Sequence, residues 1–332
     1  MKAFVLDSTR NLRPVEVPVP EPGPYEVRVK IAYCGICGSD VEAYLGHRSI
    51  EALADPPMLG HEPSGVIDKV GEHVKALKPG DRVATLGRWG SFTEYTTCKP
   101  TQILKLAPEI PLMEGSLIEA LPGIVEAATR TGITRAHNVL VYGQGLSGLL
   151  ITRLVALHGC RNLIATDLFD EKLTIAGQFG ATHTVNAQNE DVQQRVNEIA
   201  PGGVDYAIMA TLDGNDVPKA LELLRTGGRI VLYGSIGPCD GIDFFGVHGK
   251  AASIIKEFND DHGILERRRA WKEGMQLVAD GLLNIERLRT HIFPLEKLPE
   301  AMELRATARP DVIHVLIEND WAREQRLAGK AL

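Results

Sequence analysis

The stretch "NVLVYGQGLSGLL" (residues 138–150) decides how the rest of the chain is read. An apolar run of strand character closes on Gly143, Gly145 and Gly148 in a G-x-G-x-x-G pattern, and Leu146 opens a helix-period segment directly after it. Glycine at the first position allows the tight turn, at the second it lets main chain approach a pyrophosphate, and at the third it permits close helix–strand packing. The helix N-terminus then offers free N–H groups and a positive dipole to the phosphates. Glycine-rich turns also arise by chance, so context decides. The following strand ends in "IATDLFDEK", placing Asp167 near the spacing of about 20 residues at which a carboxylate takes the adenosine ribose hydroxyls. A carboxylate there repels a 2′-phosphate, which favours NAD over NADP. The plainer reading of Asp167 is a cap for the helix beginning at Leu168; Lys172, one turn on, either reaches the same ribose or is a solvated lysine.

Outward from this turn, strand-like and helix-period segments alternate: "NVLVYG", "LSGLLITRLVALHG", "NLIATD", "EKLTIAGQFGA", "VDYAIMA", "VPKALELLRTGG", "RIVLYGS". Such alternation predicts βαβ crossovers, hence an α/β fold with a doubly wound parallel sheet, over residues 122–268. Before residue 122 the texture differs: "RPVEVPVPEPGPYEVRVKIAY" (13–33) and "PSGVIDKVGEHVKALKPGDRVATLG" (63–87) read as short antiparallel strands between Pro/Gly turns, a β-rich, partly open barrel. Residues 269–332, with one helical segment and the strand-like "DVIHVLIE" (311–318), are too few for a third domain and are expected to rejoin residues 1–121. A chain of 332 residues exceeds one ordinary core, which agrees with two domains.

Composition narrows the function classes. A net charge of −7 gives no footprint for nucleic acid, and the basic run "ERRRAWKEG" (266–274) has interspersed Glu and helical spacing, the mark of a solvated helix face. No stretch reaches the roughly 18 apolar residues of a membrane span, and "MKAFVLD" turns acidic too soon for a signal peptide. Five cysteines with one close pair make no disulfide framework, so a cytoplasmic setting is expected.

That close pair lies in "AYCGICGSDVEAY" (32–44) and admits three readings: a redox dithiol of Cys34 with Cys37, half of a zinc knuckle, or one metal-binding thiolate beside a bystander. A knuckle needs a second pair, and Cys98, Cys160 and Cys239 are scattered; a thioredoxin-like motif belongs at a helix start in a βαβ context. Further on, "MLGHEPSG" (58–65) sets His61 beside Glu62, and "SLIEALPG" carries Glu119. Thiolate, imidazole and carboxylate together are what Zn²⁺ takes at a catalytic site that keeps a fourth position open.

"GICGSD", "GHEPSG", "GDRV", "EALPG" and "VYGQGLSG", in this order and spacing, resemble the zinc-dependent medium-chain dehydrogenase/reductase family, in particular its sorbitol and threonine dehydrogenase branch, across nearly the whole chain. The resemblance implies a GroES-like β domain joined to a Rossmann NAD domain, and NAD-linked conversion of a secondary alcohol (polyol, cyclitol, sugar or amino-alcohol) to a ketone. It places the thiolate ligand at Cys37 and leaves Cys34 without a ligand role. It implies zinc on Cys37, His61 and a carboxylate, either Glu62 or Glu119. Asp40 would accept the imidazole's other N–H and Ser39 would take the substrate proton. Relatives of this kind assemble as dimers or tetramers.

Three departures stand out. Glu42 occupies the place of a proton-relaying histidine, leaving Glu42 or His47 as substitutes. The segment after "GDRV" offers only Cys98, so one catalytic zinc and no structural zinc is expected. "IIKEFNDDHG" (254–263) lacks the arginine that the sorbitol branch uses on polyols. Tyr44, Arg88, Trp89 and Asn259 are the substrate-pocket candidates. Two rivals remain: a zinc-free NAD(P)H-dependent enone or quinone reductase of the same fold, and a non-catalytic NAD-binding protein.

Overall fold

The computed structural model describes residues 1–48, 56–87, 89–129, 131–234, 236–256, 264–330 and 332. They fall into two compact units: Met1–Leu121 with Trp271–Ala308 and Val312–Leu332, and Pro122–Ala270 with Arg309–Asp311.

The first unit carries strands β1 (Lys2–Ser8), β2 (Asn11–Glu16), β3 (Val27–Gly35), β4 (Glu62–Val70), β5 (Arg82–Thr85), β6 (Tyr95–Cys98) and β7 (Ile103–Lys105). In β3 the alternation Val-Arg-Val-Lys-Ile buries Val27, Val29 and Ile31 while Arg28 and Lys30 stay half-exposed, as a one-sided strand requires. From Ala32 to Gly35 every residue is buried, because the strand there runs between neighbours on both edges. Val27, Val29, Ile67, Val83, Cys98 and Ile103 form one core. The "GDRV" segment is structural: Asp81 accepts the Lys78 N–H at 3.0 Å and pairs with Lys105 Nζ at 2.9 Å, closing the turn into β5.

The second unit holds β8 (Asn138–Tyr142), β9 (Asn162–Asp167), β10 (His183–Asn186), β11 (Val204–Met209), β12 (Leu224–Leu232) and β13 (Ser253–Ile255), all parallel in the order β10-β9-β8-β11-β12-β13. Helices Leu146–His158, Asp170–Gln178, Val192–Ile199 and Asp216–Leu223 connect successive strands. Val139, Leu140 and Val141 are fully buried, the near-continuous apolar run that a strand covered on both faces needs. Strand order reverses between β8 and β11, so the turn after β8 opens at the topological switch point, where doubly wound sheets bind ligands. The expected α/β Rossmann sheet plus a GroES-like β-rich unit is the observed fold.

The closing strands β14 (Arg289–Pro294) and β15 (His314–Glu318) belong to the first unit's sheet, whose order is β14-β15-β3-β4-β5-β7 with β6 also on β3. β15 is shorter than the 311–318 run, starting at His314. Among the described residues no helix is long and apolar enough to cross a membrane.

Candidate metal centre and dinucleotide turn

Antiparallel pairing of β3 with β4 sets Gly35 opposite Glu62. Cys37, two residues beyond the end of β3, and His61, one before the start of β4, therefore meet at the same end of the pair although their loops are far apart in sequence. Cys37, His61 and Glu62 each offer one possible ligand atom, and these atoms all lie within 4.8 Å of one another.

Asp40 ties the two loops together. It is fully buried in the helix Gly38–Tyr44, with Cys37 as N-cap. Oδ2 accepts the Cys37 N–H at 3.0 Å, Oδ1 accepts the Gly60 N–H at 2.9 Å, and Oδ1 also stands 3.4 Å from His61 Nδ1. A carboxylate in the first turn of a helix is favoured by the free N–H groups there. With Nδ1 turned to Asp40, Nε2 faces the ligand corner, where it lies 3.3 Å from Ser39 Oγ. The Trp89 ring packs against the His61 imidazole, centroids 4.3 Å apart and planes tilted by 36°, and the Arg48 guanidinium covers the indole at 5.3 Å.

The electrostatics fit a cation. Burial pushes the Cys37 thiol up, yet the adjacent His61 outweighs it and holds the thiol below its ordinary value. Burial, the Cys37 charge and nearby Glu119 push the Glu62 carboxyl well above the carboxylate range. Glu62 Oε2 is buried without a hydrogen-bond partner. Orphaned buried polar atoms are costly, about 1–3 kcal/mol each, and a sulfur, nitrogen and oxygen donor set of this kind suits a divalent zinc ion.

The other predicted residues have definite places. Glu119 is half-buried, accepts the Gly87 N–H at 3.3 Å, and lies outside the close triplet while still acting on Glu62 electrostatically. Glu42, one turn after Ser39 and buried, has Oε2 at 3.4 Å from Nδ1 of exposed His47. Cys34 is buried, with its thiol against the Gly35 carbonyl and pushed well up by desolvation. Tyr44 is a core residue, 2% exposed, whose hydroxyl donates to Glu303 Oε1 at 2.6 Å, so it faces the core and not a pocket. Arg88, Asn259 and most of the 254–263 segment lie outside the described residues. Sequence reasoning missed His314, whose Nε2 stands 4.0 Å from Glu62 Oε2. Its only sequence signal was a lone histidine in an apolar strand.

In the second unit, Gly143 has φ +83° and its N–H donates to the Thr166 carbonyl at 2.9 Å. A Cβ on Gly148 would collide with the Gly143 carbonyl oxygen, whereas a Cβ on Gly145 would meet nothing within 4 Å. Gly145 is the N-cap of the helix that Leu146 opens. Gln144 turns inward, its Oε1 accepting from Thr152 Oγ1 at 3.0 Å. Asp167 Oδ2 accepts the Gln144 N–H at 2.6 Å and Oδ1 accepts those of Leu168 and Phe169 at 2.8 and 3.2 Å, which binds the glycine turn to the end of β9. Lys172 is buried, its Nζ 5.1 Å above the Phe169 ring.

Comparison with known proteins identifies the family. The alcohol dehydrogenase GroES-like domain profile matches residues 23–109, and that of the zinc-binding dehydrogenase matches residues 148–280. Sorbitol dehydrogenase of Gallus gallus is 31% identical over 351 aligned positions, covering 96% of each chain. Galactitol-1-phosphate dehydrogenase from Escherichia coli superposes with a TM-score of 0.82 at 26% identity, covering 96% of this chain and 100% of that one. An alcohol dehydrogenase from Escherichia coli CFT073, solved with NADH, gives 0.83 at 26% identity, covering 96% of this chain and 99% of the other. With these motifs, this fold and these relatives, the chain belongs to the zinc-dependent medium-chain dehydrogenase/reductase family.

Proposed function

We propose that the protein is a zinc-dependent dehydrogenase that moves hydride between a secondary alcohol of the polyol class and NAD, reversibly. The observation that carries this reading is the convergence of Cys37, His61 and Glu62 within 4.8 Å, with a buried Glu62 oxygen left without a partner. Residues 1–121 with 269–332 act as the catalytic domain and 122–268 as the cofactor domain. One zinc ion per chain, held by Cys37, His61 and Glu62, would supply Lewis acidity that lowers the pKa of a substrate hydroxyl. Glu119 stays close by as a second carboxylate.

The protein's own groups handle the proton. Ser39 Oγ, beside His61 Nε2, receives the substrate hydroxyl proton, and Glu42 with His47 leads it outward. Asp40 holds both ligand loops and keeps the imidazole turned to the metal. The main chain of Gly143–Gly145 and the N-terminus of the helix after it receive the pyrophosphate, with Leu146 as its first residue and Gly148 allowing its approach to the sheet. Asp167, aided by Lys172, takes the adenosine ribose and disfavours a 2′-phosphate. The sorbitol dehydrogenase and galactitol-1-phosphate dehydrogenase relatives support a polyol substrate. A cytoplasmic homo-dimer or homo-tetramer belongs to the same reading.

The test combines metal analysis with a panel of polyols, cyclitols and hydroxy-amino acids, followed at the absorbance of the reduced cofactor with NAD and NADP. Stoichiometric zinc and polyol-dependent NAD reduction are expected. Full turnover in zinc-free protein, or a preference for NADP, would overturn the corresponding part.

A further inference from the structure

Strand β3 is flanked on its two edges by the strands that carry Glu62 and His314. Gly35 pairs with Glu62 on β4 and with Leu316 on β15, and His314 is two residues before Leu316, hence on the same face of its strand. The side chains of Glu62 and His314 are each 1% exposed, with His314 Nε2 4.0 Å from Glu62 Oε2. Neither atom has a hydrogen-bond partner. The space between them is kept by a missing side chain: a Cβ on Gly35 would press on Glu62 Oε2 and stand 2.8 Å from both Cε1 and Nε2 of His314. A neutral imidazole has one N–H to give, and a carboxylate oxygen is an acceptor for it. Two buried atoms of complementary character face each other across a gap that glycine alone leaves open.

We propose that His314 is a positioning residue of the metal centre: its Nε2–H donates to Glu62 Oε2 and holds that carboxylate so that its remaining oxygen is available to zinc beside Cys37 and His61. The inference rests on the reading of Glu62 as a ligand. A donor to a ligating carboxylate fixes its orientation and so sharpens metal affinity, typically by about 10–100-fold. Arg305, on the helix Leu298–Ala306, feels the Cys37, Glu62 and Asp40 charges, but its long-range attraction gives no direction to the carboxylate.

Zinc affinity is measured by chelator competition on the full-length protein, and the visible spectrum of the Co²⁺-substituted form reports ligand geometry without turnover. His314→Leu is expected to weaken zinc binding about 10–100-fold and to shift the cobalt bands. His314→Gln, which keeps an N–H in the same region, is expected to restore most of both. The thermal midpoint of the metal-free variants separates this from packing. If His314→Leu binds zinc like the parent with an unchanged cobalt spectrum, or if the glutamine variant restores nothing, the positioning role is wrong. Glu62→Gln distinguishes the layers: unchanged zinc affinity in that variant removes Glu62 from the ligand set and takes the His314 inference with it, whereas a large loss there with no effect at His314 overturns the inference alone.

Discussion

In the proposed dinucleotide site between Gly143 and Gly148 the contacting surface would be main chain, and the side chains that matter are the ones that are missing; in the proposed metal site it would be the side-chain atoms of Cys37, His61 and Glu62, brought together beyond the end of β3 and at the start of β4. The first is contiguous in sequence and stands on one strand and one helix. The second exists only after β3 and β4 have paired in the register that sets Gly35 against Glu62. A main-chain site is vulnerable to added atoms, and a side-chain site to atoms taken away. The contrast can be broken or sharpened by substitution.

The largest effect is expected at the side-chain site. Cys37→Ala should remove zinc and lower kcat by at least about 10³-fold, the equivalent of about 4 kcal/mol of lost stabilisation. Isothermal titration should show NAD binding intact, and turnover by the metal-free variant would break the comparison. Next come the glycines. Gly148→Ala places a methyl on the Gly143 carbonyl and should cost about 1–3 kcal/mol of stability together with cofactor affinity, read from denaturant midpoint and cofactor titration. Gly145→Ala has open space around it, so its midpoint should not move while the cofactor binds more weakly. Equal loss of stability in both would mean the turn is not distinguished as described. Asp167→Ala should raise the KM for NAD and reduce NAD/NADP discrimination roughly tenfold, about 1.4 kcal/mol; an unchanged ratio would leave Asp167 as a turn-fixing carboxylate only.

The smallest effect tests a motif outside either site. Burial pushes the Asp81 carboxyl up, but Lys105 and the Lys78 N–H outweigh it and hold it below the ordinary carboxylate value. A folded-state value below the unfolded one means the stabilisation is complete above the unfolded value of about 3.9. It disappears as pH falls through the folded value. Asp81→Asn should therefore cost about 0.5–1 kcal/mol at pH 7, and chemical denaturation at lower pH should show the gap to the parent closing.

The same contrast explains how much could be read in advance. The Rossmann unit was legible because its determinants are local: alternating strand and helix periods, and a glycine turn that follows its strand directly. The triplet was legible through its motifs and not through physics alone, since nothing in "GHEPSG" indicates which strand Glu62 will lie beside. Tyr44 was misread as a pocket residue because its helix brings it against Leu298, Met302 and Val315, elements more than 250 positions away. His314 was illegible for the same reason: a neutral histidine in "DVIHVLIE" acquires meaning only when β15 docks on β3. Asp40 was read as a partner for His61, but its grip on the main chain of both loops could not be read from sequence spacing.

Trp89 gives the metal corner an optical consequence. Its indole rests on the His61 ring at 4.3 Å, and it is one of only three tryptophans in the chain. An indole so close to the imidazole proposed to hold zinc is a built-in fluorophore, and a paramagnetic ion such as Co²⁺ seated there would quench its emission while Zn²⁺ would not. Metal loading could then be followed in real time, without dye, substrate or coenzyme, with Trp89→Phe as the blank.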